Sequence, residues 1–106
     1  MAENKDKLIQ LLSQDPGLYD VINSNQHIYV LQILEKDSQE FQNIKKELPK
    51  DININKDIIL YNILDTLIQK NLIKKIQVNK SQIYYITEKG KFLFKLYTDA
   101  KKEYNL

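Results

Sequence analysis

Apolar residues in the first 70 positions recur at helical spacing, with polar residues between them. The spacing predicts helices over residues 4–13, 16–22, 26–36, 37–48 and 55–70. Pro16 after Asp15, and later the pair Asp37-Ser38, are start signals for the second and fourth of these helices. In the second helix the inward residues are expected to be Leu18, Tyr19 and Ile22. The chain therefore begins as a series of short amphipathic helices.

Beyond residue 70 the period of the apolar positions changes to two. Ile76 and Val78 flank a polar residue, and Tyr84 and Ile86 repeat this spacing after a polar break. Such alternation on both sides of a break predicts a β-hairpin. If all four side chains face the core, the turn must contain an odd number of residues, so a three- or five-residue turn is expected around Lys80.

A last helix is predicted from Thr87, a candidate cap, to near Tyr104. Its apolar stripe extends beyond what a small domain covers, and surplus apolar surface on a terminal helix favours pairing with a second subunit. A homodimer is therefore expected, with an interface on this helix formed by Leu93, Leu96, Tyr97, Ala100 and Tyr104. The alternative is that the N-terminal helices cover the same surface within one chain.

The order of elements indicates a mainly α protein with a small β-hairpin, an α+β arrangement. Helices followed by a two-stranded hairpin are also the layout of a winged helix-turn-helix domain. The segment LYNILDTLIQKNLIKK (60–75) resembles a recognition helix and the strand after it, and YYITEKGKFLF (84–94) resembles the end of a wing and the start of the last helix. Taken together, these segments are similar to the PadR and HxlR groups and to the small archaeal winged-helix regulators.

The resemblance covers residues 26–100, most of the 106 residues. It implies an N-terminal helical extension over 1–25, a winged helix-turn-helix core over 26–86 and a C-terminal helix over 87–106. It also implies a transcriptional regulator that binds double-stranded DNA as a homodimer.

Charge is distributed unevenly, although the net charge is only +2. Residues 1–69 contain seven lysines and eleven acidic residues, whereas residues 70–106 contain nine lysines and three acidic residues. This asymmetry favours an anionic partner. With the resemblance, it implies lysine–phosphate contacts beside a recognition helix. The expected DNA-binding residues are Asn55, Lys56, Asn62, Thr66, Gln69, Lys70, Lys74, Lys75, Asn79 and Lys80. The alternative is that these lysines are ordinary solvated residues.

The outer face of the predicted recognition helix departs from the pattern expected of a DNA reader. It carries amides and the carboxylate of Asp65, and the chain has no arginine. Ile58 and Ile59 also fall away from the core stripe on a helical wheel and need a cover. These features favour a second hypothesis, a winged-helix module that binds another protein in a larger nucleic-acid-handling assembly. A third, single-strand binding by stacking, would use Tyr61 and Tyr85.

Few residues suggest catalytic or metal chemistry. The chain has no cysteine, one histidine (His27) and two glycines. We therefore expect no enzyme activity, no metal site and no cofactor. No apolar run approaches the roughly 20 residues of a membrane span, and the N-terminus lacks the features of a signal peptide. A cytoplasmic protein is expected.

Overall fold

The computed structural model describes residues 3–50, 52, 54 and 56–103. In this part of the chain the elements follow the order α1 (Glu3–Gln14), α2 (Leu18–Ile22), α3 (Asn25–Lys36), β1 (Gln39–Glu40), α4 (Phe41–Glu47), α5 (Asp57–Gln69), β2 (Ile73–Val78), β3 (Ser81–Ile86) and α6 (Glu88–Glu103). The predicted mainly α class with a small sheet is confirmed. Two residues of the predicted sites, Asn55 and Tyr104, lie outside the described residues.

The core lies between the helices and one face of the sheet, and its apolar side chains come from all six helices of the described residues and from strands β2 and β3. In α5 the fully or almost fully buried residues are Leu60, Ile63, Leu64 and Leu67. Their spacing of three, one and three puts them on one face of the helix. The opposite face of α5 is therefore directed away from the core.

The predicted inward face of the short second helix is only partly correct. Leu18 is buried as expected, but Tyr19 is 45% exposed and Val21 takes the other buried position. Helix α2 begins at Leu18 and not at Pro16, and it is five residues long. Leu18 and Val21 then lie three positions apart on one face, and Tyr19 points outward.

The helix predicted to start at Asp37-Ser38 begins later, at Phe41. Asp37 has an extended backbone, and Gln39–Glu40 form the short strand β1. This strand pairs antiparallel with β3, where Gln39 is opposite Tyr84. The sheet therefore has three strands in the order β1-β3-β2. A partner 45 residues further along the chain decides the conformation of this segment.

The predicted odd-numbered hairpin turn is wrong. Val78 pairs with Ser81, so only Asn79 and Lys80 lie in the turn, and Asn79 has a φ of 57°. A positive φ is common in two-residue hairpin turns and is tolerated by Asn. With this register, Ile76 and Val78 point to the face opposite the core and are 47% and 46% exposed.

Helix α6 is covered mainly by α1, with further contacts to α3. As a result, three of the predicted dimer residues are buried within their own chain: Leu93, Leu96 and Ala100. The expectation that they form a subunit interface is therefore corrected, because the N-terminal helix already occupies that surface. Tyr97 is half-buried, and the exposed apolar side chain on α6 is Phe92, at 48%.

Candidate nucleic-acid interface

Helices α4 and α5 are consecutive, and an ion pair connects their facing ends. Lys45 Nζ in the last turn of α4 lies 2.6 Å from Asp57 Oδ1 in the first turn of α5. A carboxylate at a helix N-terminus and a cation at a helix C-terminus both interact favourably with the helix dipoles. The pair also neutralises the negative charge of Asp57 at the start of α5, where a polyanion would approach.

The outward side of α5 carries a stripe of four exposed residues: Ile58, Asn62, Asp65 and Gln69. They are spaced by four, three and four positions, so they follow one another along the helix on a single face. Ile58 is 66% exposed, whereas Ile59 is half-buried and packs against the core. We call these four residues the α5 stripe. The rest of the described chain leaves the stripe open to solvent.

One flank of the stripe is aromatic and contacts α4. The ring of Tyr61 stacks on Phe41, with centroids 4.1 Å apart, and remains 46% exposed. Burial raises the pKa of Tyr84 above its ordinary value, and the neighbouring Tyr61 and Asp65 raise it further. Tyr84 is buried on the side of β3 that faces the core.

The hairpin register separates the two neighbouring lysines of β2. Lys75 is directly opposite Tyr84 and so shares its face of the sheet. Lys74 is opposite Tyr85 and points to the other face. Lys80 lies in the turn at the tip of the hairpin. Of the three wing lysines predicted to act together, Lys75 and Lys80 can accompany the α5 stripe, whereas Lys74 belongs to the opposite face.

The remaining predicted residues lie at different distances from the stripe. Lys56 is the exposed residue directly before α5, and Thr66 is half-buried beside the stripe. Lys70 follows the last turn of α5 and is half-buried; its ammonium group lies against Gly17 in the turn between α1 and α2. Lys70 is therefore directed toward the N-terminal helices and not along the stripe.

A compact junction fixes the wing relative to α5. Asn71, with a φ of 62°, ends the helix in a left-handed conformation, and the Leu72 amide donates to the Leu67 carbonyl at 3.0 Å. Thr87 Oγ1 then donates to the Asn71 carbonyl at 2.6 Å and accepts from the Gly90 amide at 3.1 Å. The two ends of the hairpin and the start of α6 thus meet directly after α5. This explains the sequence ITEKG at that point.

A second set of contacts anchors the end of α5 to α1 and α6. Lys89 Nζ donates to the Lys70 carbonyl at 3.1 Å and to Asp15 Oδ2 at 3.0 Å. His27, in the first turn of α3, makes a 2.7 Å contact between Nδ1 and Ser24 Oγ, the side chain of the helix N-cap. Burial lowers the pKa of His27; Asp20 opposes this shift and Lys70 adds to it.

Sequence reasoning missed two lysines of α4. Lys45 and Lys46 lie in the last turn of this helix, and the ion pair with Asp57 places that turn beside the start of α5. Both side chains are exposed. In helix-turn-helix proteins the first helix crosses the phosphate backbone, so its basic residues could have been included from the element order.

Neither metal ligation nor membrane insertion is suggested by the described part of the chain. Among residues 3–50, 52, 54 and 56–103, no group of three or more His, Asp or Glu side chains is arranged to hold a metal ion. In the same residues, every helix is too short or too polar to cross a bilayer.

Comparison with solved structures identifies the arrangement of α4, α5 and the hairpin. A PadR family transcription regulator from Clostridium difficile aligns with a TM-score of 0.69 and 23% identity, covering 77% of this chain and 92% of the regulator. The chain has the winged helix-turn-helix fold. By the order of elements, α4 and α5 correspond to the two helices of the helix-turn-helix, and β2 and β3 correspond to the wing.

Two further neighbours share this winged-helix fold. The transcriptional regulator YodB from B. subtilis, in its reduced form, gives a TM-score of 0.70 at 16% identity, covering 84% of this chain and 86% of YodB. A mutant of MepR from S. aureus, bound to an oligodeoxyribonucleotide, gives 0.68 at 23% identity, covering 97% of this chain and 71% of MepR. No protein-family model and no curated protein sequence matches the chain.

Proposed function

We propose that this protein is a DNA-binding transcriptional regulator of the cytoplasm that places recognition helix α5 in the major groove of duplex DNA. The winged-helix neighbours are transcription regulators, and one of them is bound to an oligodeoxyribonucleotide. The same use of the fold here requires that α5 be accessible and that cations lie on both sides of it.

The observation that carries the proposal is the open α5 stripe. All four of its residues are exposed, so neither α4 nor the wing covers it. A B-form major groove about 12 Å wide admits one helix. A recognition helix whose outer side were covered by its own chain could not enter it.

Lysines near the two flanks of α5 supply the contacts to phosphate. Lys46 lies at the end of α4, beside the Lys45 that pairs with Asp57, and Lys75 and Lys80 lie on the wing. Such contacts need positioned positive charge and are independent of sequence, so binding should weaken steeply as salt rises. Because every basic residue is lysine, phosphate is held by point charges and not by bidentate guanidinium groups.

A salt titration of labelled duplex DNA tests the proposal. We compare the parent with Lys46→Gln/Lys75→Gln/Lys80→Gln and with a charge-matched control, Lys95→Gln/Lys101→Gln/Lys102→Gln on α6. The first variant should bind more weakly and lower the slope of log affinity against log salt by about one per lysine. The control should bind almost as the parent does. Binding by the parent that does not depend on salt would contradict the proposal.

We also propose that the protein is a homodimer, formed through a surface different from the one expected from the sequence. Phe92 on α6 and Ile9 on α1 are 48% and 47% exposed, and their two helices pack together. Pairing of two copies across this helix pair would cover both side chains. Phe92→Lys should then give a monomer in light scattering, whereas Val78→Lys, which changes a similarly exposed residue on the wing, should not.

The exposed Ile58 favours a second candidate function, docking of another protein on α5. An apolar residue and the carboxylate of Asp65 on the same stripe suit a protein surface as well as a groove. Under this alternative, duplex DNA is not bound in a salt-dependent way, so the titration distinguishes the two functions.

A further inference from the structure

Ile58 is more exposed than any other large apolar side chain in the described residues. It is 66% exposed, whereas the other exposed apolar residues lie between 45% and 48%. It is the second residue of α5, so it lies in the first turn of the recognition helix. In helix-turn-helix proteins this turn approaches the base edges. At this position the isoleucine would approach the base edges, which an apolar residue elsewhere on the surface would not.

The neighbours of Ile58 on the α5 stripe are polar groups suited to particular bases. Asn62, one turn later, offers an amide, which pairs bidentately with adenine N6 and N7. An exposed aliphatic side chain in the same groove can contact the C5-methyl group of thymine. Four residues advance about 6 Å along a helix axis, close to two base-pair rises of about 3.4 Å. Ile58 and Asn62 can therefore address A·T pairs two steps apart.

The same surface lacks the side chains that most often recognise guanine. Its commonest specific partner is arginine, and the chain contains none. The α5 stripe itself carries no lysine. The exposed groups of the stripe thus complement thymine methyl groups and adenine amides better than they complement guanine.

A protein partner is less well matched to Ile58. The apolar part of this surface consists of Ile58 and Tyr61, one turn apart, with polar residues of the stripe alongside. Protein interfaces need a larger apolar centre depleted of charge. The lysines of α4 and of the wing also add positive charge to the elements next to α5 in the chain, which suits a polyanion.

We propose that Ile58 reads the thymine C5-methyl group in the major groove and, together with Asn62, directs the protein to A·T-containing sites. This inference rests on the proposed function, because it specifies the class of DNA sequence that α5 recognises. Contact with a methyl group needs no hydrogen bond, so an aliphatic side chain is sufficient. Ile58 would enter the groove with its side chain already exposed, as it is in the free protein.

The test begins with selection of duplexes from a random pool by the parent protein. Each thymine of the selected site is then replaced by deoxyuridine, which removes the methyl group and keeps the base pairing. At one or two positions the parent should lose affinity by about four-fold, or about 0.8 kcal/mol at 1.4 kcal/mol per factor of ten. Ile58→Ala should bind the thymine and uracil duplexes equally.

The control variant is Ile76→Ala, which truncates an equally apolar side chain, 47% exposed on the face of the sheet opposite the core. It should keep the discrimination between thymine and uracil, and thermal unfolding of both variants checks that they fold. Equal binding of both duplexes by the parent, with salt-dependent binding retained, would overturn the inference and leave the proposed function intact. Discrimination that survives in Ile58→Ala would overturn it too. Absence of duplex binding would overturn both and favour a protein partner for Ile58.

Discussion

The backbone of Gly90 in the first turn of α6 lies against the carbonyl oxygen of Leu72, where the chain leaves α5 for the wing, with no room for a β-carbon between them. The Leu72 carbonyl also accepts from the Thr87 amide at 3.0 Å. This contact joins the start of the wing to the start of α6. The position of the wing beside α5 depends on it.

Gly90→Ala should therefore destabilise the protein. A methyl group there would meet backbone, which must shift, and overpacking of this kind costs about 1–3 kcal/mol. Urea unfolding monitored by circular dichroism measures the change. Gly17→Ala is the matched control, because its added methyl would meet only the mobile end of the Lys70 side chain. A free energy of unfolding for Gly90→Ala equal to that of Gly17→Ala would contradict the tight junction.

Lys89 should matter more for stability than its neighbour Lys91. Lys89 donates to the carbonyl that ends α5 and pairs with Asp15, whereas Lys91 makes only a 3.6 Å pair with the exposed Glu88. We expect Lys89→Met to lower the free energy of unfolding by about 1 kcal/mol and Lys91→Met to change it by less than about 0.5 kcal/mol. Urea unfolding of both variants at one pH tests this, and equal effects would refute the anchoring role.

His27 should make stability depend on pH below the ordinary pKa of histidine, 6.5. Its folded pKa is lowered, chiefly by burial, so the unfolded chain takes up a proton more readily than the folded protein does. The free energy of unfolding contributed by this group therefore falls as the pH drops from 6.5 toward the folded pKa.

The measurement compares parent and His27→Gln in urea at about pH 7.5 and about pH 5.5. The parent should lose more stability than the variant over this interval, since the variant lacks the titrating ring while the carboxylates are common to both. An identical loss in the two proteins would show that His27 does not contribute.

Asp65→Asn should strengthen binding to DNA. The carboxylate lies in the middle of the α5 stripe and repels phosphate, and an amide of the same shape removes that repulsion. Affinity for duplex DNA at low salt should rise by about two- to five-fold, with the gain shrinking as salt increases. Asp20→Asn on α2 is the control and should leave affinity unchanged. A weaker complex with Asp65→Asn would instead indicate that the carboxylate contacts a base.

Helical spacing predicted most of the helices correctly, because their buried residues recur on one face as in α5. The motif 84–94 also indicated the wing and the last helix, since Thr87 and Gly90 fill positions that the junction requires. The hairpin turn was missed because Ile76 and Val78 were assumed to be buried. Apolar alternation gives the parity of a strand but does not say which of its faces meets the core.

Two other errors have a tertiary origin. The strand at Gln39–Glu40 exists because β3 offers it an edge, and local start signals cannot report a partner so far along the chain. The burial of Leu93 and Leu96 depends on α1, whose apolar stripe could equally have been directed elsewhere.

The division of Lys74 and Lys75 between opposite faces follows from strand geometry and could have been predicted.

The most direct test of the account asks whether the outer side of α5 touches duplex DNA. The chain has no cysteine, so a photo-crosslinker can be attached at one site through Asn62→Cys on the α5 stripe or through Gln10→Cys, an exposed control on α1. We predict that the label at position 62 crosslinks to duplex DNA at low salt and that the label at position 10 does not. Crosslinking from position 10 without crosslinking from position 62 would contradict the placement of α5 in the groove.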